Sequence, residues 1–518
     1  MERWILASTL TIACALTAPA VAQTPEELKR DLEALKAKVD RQSEVIADQA
    51  KKLAAFEDGR LEADRDAAVE TEINRLSERM AKATTVRSGA ERLTFAGEFR
   101  FRSYWEYGEN AADVERDGTW TSAKIRFGIL YEFTKNVAAY LDLQSTFAFG
   151  HNGHSNAAAP ANFDPGEPIH ACQAWLEVQN VFGIKELSSK VGRQSVTLGN
   201  QFQFGNADWY NGYFFDGARY DWNGENFTIT AMALRTATTG TNDGNQFPAY
   251  GPFGSAFSPD GHDHDEYYVA YFTLKSLKDM TLDLYWIYAN QHAGITLNSL
   301  GGTTGGLSGN PAAPAYFHTL GARFAGDVDV AAGLDWNLEV AYQTGSVDAV
   351  PGDFDVSAFA VEAELGVTFD EDSKFRAWIR GLFAEGPDGN DTGYLPIAPN
   401  RHSNTAAFRA RYGQMDVMPM TDAFILTGGV HFDPWECWTF GLTGTWGQSD
   451  TDQGAGIDDS YGFEIDAWGE YRYSDALTFS GGLSILFPDD LLDGTVAGPS
   501  TFDDDPQFLL WAQARLFF

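Results

Sequence analysis

The thirteen residues Pro506–Phe518, PQFLLWAQARLFF, decide how this chain is read. Leu516, Ala514, Ala512, Leu510 and Phe508 share one parity and are all apolar, whereas Arg515, Gln513 and Gln507 fall on the other. A period of two is the period of a β-strand, whose successive side chains point to opposite faces. The same alternation runs back through the chain. Leu93, Phe95, Gly97, Phe99, Phe101 and Trp105 oppose Glu98, Arg100, Arg102 and Glu106. Ile125, Phe127, Ile129, Tyr131 and Phe133 oppose Lys124, Arg126 and Glu132, and similar runs recur at 334–342, 359–369 and 477–487.

Counted this way, the chain holds eighteen strands between 93 and 518, with sixteen as the alternative because 187–222 is weakly patterned. Short turns, such as Thr134–Asn136 and Ser474–Asp475, alternate with long polar loops at 150–168, 238–264, 292–315 and 387–419. A soluble sandwich or propeller would have shorter strands, partly buried on both faces. Strands of about twelve to fourteen residues with one uniformly oily face suit a tilted bilayer span instead. No uncharged apolar run of spanning length follows the N-terminus, so a closed barrel is the remaining way to cross. The expected fold is therefore an all-β transmembrane, antiparallel outer-membrane β-barrel over residues 93–518. An even strand count leaves both barrel ends on the periplasmic side. A closing strand ending in Phe518 resembles the membrane-insertion signal of bacterial outer-membrane barrels.

Composition agrees. Aromatic residues make up 14% and glycines number 51, habits of large antiparallel barrels with aromatic girdles and tight turns. The net charge of −36, from 37 basic and 73 acidic residues, argues against a nucleic-acid partner, which needs clustered Lys and Arg. It suits a cell-surface protein whose loops meet divalent cations or cationic solutes, with outer-membrane lipid and lipopolysaccharide as the expected surroundings. Residues 1–22 read as a signal peptide: Arg3, an apolar core Trp4–Ala18, and Ala20-Val21-Ala22 before Gln23. Residues 24–85 differ from everything after them. Leu28, Leu32, Leu35, Val39, Gln42, Ile46, Gln49, Leu53 and Phe56 step alternately by four and three, the seam of an N-terminal α-helical coiled coil. A periplasmic stalk that makes a homo-oligomer, a trimer by preference, is expected there, with peptidoglycan as a further partner. The alternative is a single amphipathic helix folded onto the barrel mouth or into its lumen. Cys172 and Cys437 fall on distant strands and are expected to be small apolar fillers rather than a disulfide.

On the inward parity sit bases, Arg100, Arg102, Lys124, Arg126, Arg323, Arg376, Arg380, Arg472 and Arg515, and acids, Glu98, Asp142, Asp335, Glu339, Glu362, Glu364, Glu464, Asp466 and Glu470. The bases group on the first, second and last strands, which adjoin when a barrel closes. Two roles compete for these residues. They line a constriction with a transverse field, or they form salt-bridge ladders that stiffen the wall.

The stretch Val191–Trp222, VGRQSVTLGNQFQFGNADWYNGYFFDGARYDW, resembles the alginate-export porin family: a Gly-Arg-Gln strand, a Gly/Asn turn, a Trp, then Phe-Asp-Gly-Ala-Arg. The resemblance implies an eighteen-stranded barrel and places Arg193 and Arg219 among pore-lining candidates. Asp260, His262, Asp263, His264 and Asp265 are the densest candidate metal ligands, for Ca²⁺ or another divalent ion, although their irregular spacing fits a solvated loop better. No resident cofactor is otherwise expected. No Walker A, CxxC or HExxH motif occurs, so an enzyme is not expected. The expected function is a porin, a passive channel for small hydrophilic or charged solutes. Export of an alginate-like polysaccharide and a structural anchor to the cell wall are the alternatives.

Overall fold

A computed structural model describes residues 86–88, 91–110, 114–115, 118–149, 169–206, 212–236, 265–277, 279–295, 313–328, 333–348, 352–370, 374–400, 411–452, 458–492 and 504–518. The signal peptide and stalk expected over 1–22 and 24–85 lie outside the described residues. So do Asp260, His262, Asp263 and His264.

Eighteen long strands follow one another: β1 Glu91–Tyr107, β2 Gly118–Thr134, β3 Val137–Phe149, β4 His170–Gln179, β5 Leu187–Gln194, β6 Phe215–Asn223, β7 Phe227–Thr236, β8 Glu266–Leu274 and β9 Met280–Ile295. They continue as β10 Ala313–Val328, β11 Leu334–Val347, β12 Phe354–Asp370, β13 Phe375–Ala384, β14 Ala423–Trp435, β15 Trp438–Gln448, β16 Ser460–Arg472, β17 Leu477–Pro488 and β18 Gln507–Phe517. Each pairs antiparallel with its neighbours in sequence, and β18 returns to β1 from Glu98↔Phe517 to Tyr107↔Phe508, which closes the barrel. A short strand, Val86–Ser88, pairs with the start of β1.

Phe518 completes the seam. Its amide and carbonyl exchange hydrogen bonds with Gly97 at 3.1 and 2.8 Å, and its ring lies over Gly97, where any Cβ would collide with it. At one end of the barrel the connections are short, with Lys135–Asn136 joining β2 to β3 and Glu436–Cys437 joining β14 to β15. At the other end long segments run between strands, notably 195–214 and 385–422. Short periplasmic turns and long extracellular loops are the outer-membrane arrangement.

Parity sorts the wall. Leu338, Val340, Tyr342, Leu365, Ile379, Leu442 and Leu510 are exposed on the outer face, where lipid would cover them. The core lies inside. Apolar clusters join the inward side chains of β7–β14 to residues of the two longest infolded segments, including Val196, Leu198, Phe204, Leu395 and Ile397.

Two expectations about this wall need correction. The strands expected over 187–198 and 211–222 are shorter, and residues 195–198 and 212–214 do not belong to the wall. After Gln194 the chain turns inward, with Gln201 N donating to Leu198 O and Leu198 N to Phe204 O, because Val196 and Leu198 find apolar partners in the lumen rather than in lipid. Cys437 is no filler, since it sits exposed on a tight turn, whereas Cys172 is fully buried.

Candidate functional site: the barrel lumen

The lumen has two unlike halves. Along β7–β14 the inward parity carries an apolar surface, Met232, Leu234, Tyr267, Val269, Ile287, Ala289, Phe317, Val356, Ala360, Leu382 and Ile425, interspersed with ion-paired residues. Onto this surface fold the segments 195–206, 385–400 and 411–422. Phe204 packs edge-on against Phe215 and Tyr267, with ring centroids 5.4 and 5.5 Å apart, and Phe202 stacks with Tyr394 at 6.1 Å. The Leu395 backbone is tied to the wall by a reciprocal pair of 2.8 Å bonds, its N–H donating to Gln343 Oε1 and its carbonyl accepting from Gln343 Nε2.

One wall carboxylate clasps two of these segments together. Glu362 on β12 accepts from Asn200 Nδ2 at 2.6 Å and from the Tyr412 hydroxyl, and it pairs with Arg411 at 3.4 Å. Arg411 in turn donates to the carbonyls of Asn200 and Asn400. Glu362 is therefore an anchor buried beneath the loops. Asn200, Arg411 and Tyr412, which complete the clasp, lie in loops where no period marks them.

On the other side, β1, β2 and β18 present a basic arc. Arg100 faces Lys124 on one neighbour and Arg515 on the other, directly in register, and Arg102 faces Ser122 and Gln513. Within this band Glu98 joins Arg515 at 2.7 Å and Lys124 at 3.8 Å, and Asp142 on β3 lies 3.8 Å from Arg126. Arg102 donates to Gln513 Oε1 and to the Tyr104 hydroxyl. Among the described residues, five cations thus stand around Glu98 and Asp142, with Glu106 farther along the same face of β1. Like charges held this close create a positive potential, strengthened by the low-dielectric wall around it.

On β9–β13, the strands that also carry the apolar surface, the inward ions form ladders. Asp335 and Glu364 both bind Arg376, Glu364 also binds Arg380, and Arg323 joins Asp283 at 2.9 Å and Asn337 at 2.6 Å. Glu339 accepts from the Tyr285 hydroxyl at 2.8 Å. Arg219 folds onto Asp221 two residues along its own strand, at 2.7 Å. Glu464, Asp466 and Glu470 line the inner face of β16.

Two of the expected lining residues fall elsewhere. Arg193 lies opposite Ala174 and Asp216, on the parity of the exposed Leu176 and Val191, and its guanidinium is spent on a two-pronged pair with Asp216 at 2.8 Å. Arg472, although of inward parity, is exposed at the last residue of β16, next to a turn. Asp265 is buried at the head of β8, its Oδ2 near the Tyr267 hydroxyl at 3.5 Å. Among the described residues, no group of three or more His, Cys, Asp or Glu has metal-holding geometry.

The infolded core has a signal in the sequence. Strand β8, EYYVAYFTL, is apolar on both parities, inward at Tyr267, Val269 and Tyr271 and outward at Tyr268 and Phe272. A strand lining only water would alternate.

The family model described as alginate export matches residues 91–446. No curated protein matches the sequence. Among solved structures, the chain is similar to three crystal structures from Pseudomonas aeruginosa: OpdL (12% identical, TM-score 0.51), OccK8, also called OprE (14%, 0.51), and OpdQ (10%, 0.51). Each comparison covers 82% of this chain and 98% of the other. At such identity these likenesses speak for the fold.

Proposed function

We propose that this chain, which belongs to the alginate export family, is a passive outer-membrane channel whose permeating solutes pass along the basic arc and are preferentially anionic. The observation that carries this reading is the band formed by Arg100, Arg102, Lys124, Arg126 and Arg515. In this reading the route for water and solutes runs beside the band, whose side chains are largely buried, with the Phe214 ring 5.3 Å from Arg126. Field focusing in a narrow, low-dielectric lumen raises the local concentration of ions of opposite sign. An overall charge of −36 does not oppose this, since selectivity follows the charges at the constriction.

The mechanism is diffusion down a gradient, without catalysis. An anion exchanges part of its hydration for guanidinium contacts, and the arginines' own partners (Glu98, Asp142 and Gln513) keep those contacts weak enough for release. Export of an anionic polysaccharide is the second reading, favoured by the family itself. In that reading the same arc would carry a chain of carboxylates one sugar at a time. We further propose a periplasmic oligomerisation stalk over 24–85, lipopolysaccharide around the outer rim, and peptidoglycan as a partner of the stalk.

Liposome swelling with sugars matched in size separates these readings. Glucuronate should enter faster than glucose, and glucose faster than glucosamine. Equal rates for all three would remove the arc from the function. No swelling with any monomer, alongside passage of oligouronates, would select export. No passage of either, from inserted protein, would leave the anchoring role.

A further inference from the structure

Most acids facing the lumen have a cationic partner. Glu98, Asp142, Asp283, Asp335, Glu362 and Glu364 each sit within 4 Å of an Arg or Lys. Glu464 and Asp466 do not, among the described residues. They stand two apart on β16, so both project from the same face, and both are fully buried. Each carboxylate has one oxygen engaged and one left over. Glu464 Oε1 accepts from Met415 N at 2.8 Å, and Asp466 Oδ2 accepts from Thr443 Oγ1 at 3.0 Å. Glu464 Oε2 and Asp466 Oδ1 accept no hydrogen bond of ordinary geometry, although the two carboxylates reach each other. A third oxygen adjoins them. Ser484 lies directly across from Asp466 on β17, is wholly buried, and its hydroxyl reaches Asp466 without a bond of ordinary geometry to any group.

Two uncompensated carboxylates in so dry a place carry a heavy desolvation cost, and a buried charge ordinarily has a counter-ion or a metal. We propose that Glu464 Oε2, Asp466 Oδ1 and Ser484 Oγ bind a divalent, oxygen-seeking cation of the Ca²⁺ type. Three convergent oxygens, two of them charged, suit a hard cation, and a charge of +2 balances the pair. The ion would also fix the infolded segment 411–422. The backbone N–H of Met415 already donates to Glu464, and that of Gln414 reaches Asp466. Neutralising the carboxylates would remove their mutual repulsion beneath this loop. The site draws none of its oxygens from the residues of the basic arc.

Terbium is a suitable probe, because it substitutes for Ca²⁺ and is sensitised by a nearby indole. Trp468 lies on the same inward face two residues from Asp466, about 7 Å along the strand. The full-length protein in detergent micelles should show saturable, Trp-excited Tb³⁺ emission that Ca²⁺ displaces. Glu464→Gln with Asp466→Asn should weaken that binding at least about tenfold, while Asp458→Asn with Asp459→Asn, in the loop before β16, should not change it. Wild-type protein without Ca²⁺-displaceable emission would overturn the proposal, as would unchanged affinity in the Glu464/Asp466 variant. If that variant fails to fold, Ser484→Ala decides, with weaker binding in support and unchanged binding against. Ion selectivity at the arc is read separately, so the site and the channel function fail or stand independently.

Discussion

The two halves of the lumen obey different physics. On β7–β14 the inward face is built like the interior of a soluble protein, with Phe204, Phe215 and Tyr267 edge-on and Ile397 and Leu395 buried beside them. On β18, β1 and β2 it is built like a charged surface turned inside out, with Arg100, Arg102, Lys124, Arg126 and Arg515 set among few acids. Both halves meet lipid on the outside with the same apolar parity. The barrel wall therefore fixes only which way side chains point, and the inward residue types decide whether a stretch of lumen is lined by apolar packing or by charge.

The contrast can be broken most forcefully at Glu362. Removing one partner of a buried ion pair leaves an uncompensated charge and costs about 3–5 kcal/mol. Glu362→Ala strands Arg411 and frees Asn200 and Tyr412 together. Single-channel conductance should rise severalfold in planar bilayers while the heat-modifiable barrel persists on gels, and unchanged conductance would show that the loops are held by other means. A smaller effect is expected at Ile397→Ala, which empties part of the loop core for roughly 2–5 kcal/mol. It should lower the thermal transition of the loops without touching ion selectivity.

Charge reversal acts on the other half. Arg100→Glu with Arg126→Glu should shift the anion-to-cation permeability ratio by about tenfold toward cations, equivalent to about 1.4 kcal/mol, with little change in loop stability. An unchanged ratio would mean that these residues do not line the route. The smallest effect concerns pH. Asp422, just before β14, is buried, which raises its carboxyl above the ordinary range even though Thr451, Ser449 and Asp450 donate to it. A raised folded value means that its contribution to loop stability is complete at acidic pH and is lost as pH rises through that value. Asp422→Asn should flatten this dependence in a thermal melt series, and an undiminished slope would point to another group.

Much of this architecture is legible in the sequence, because a closed barrel imposes a strict period of two wherever a strand meets lipid. Eighteen strands and the lumenal parity of Arg100, Lys124, Glu362 and Glu464 follow from that period alone. The period is silent where the chain leaves the wall. The period carries the strand that starts at 187 past Gln194 to Leu198, because Val196 and Leu198 are β-formers, yet their apolar partners lie in the lumen. Arg193 shows the same limit at one residue. A strand position beside a glycine with φ of +126°, Gly192, is poorly phased by pattern, and its register with Ala174 and Asp216 settles the side it takes. The clasp of Asn200, Arg411 and Tyr412 on Glu362 joins residues up to 211 apart in sequence, a closeness that only the folded loops create.

The most direct test of the account is the reversal potential of the purified wild-type channel in a planar bilayer under a tenfold KCl gradient. A potential of the sign set by chloride, reduced by Arg100→Glu with Arg126→Glu, is the predicted result. A cation-selective potential would contradict a route along the basic arc. A silent membrane despite confirmed insertion would contradict an open lumen altogether.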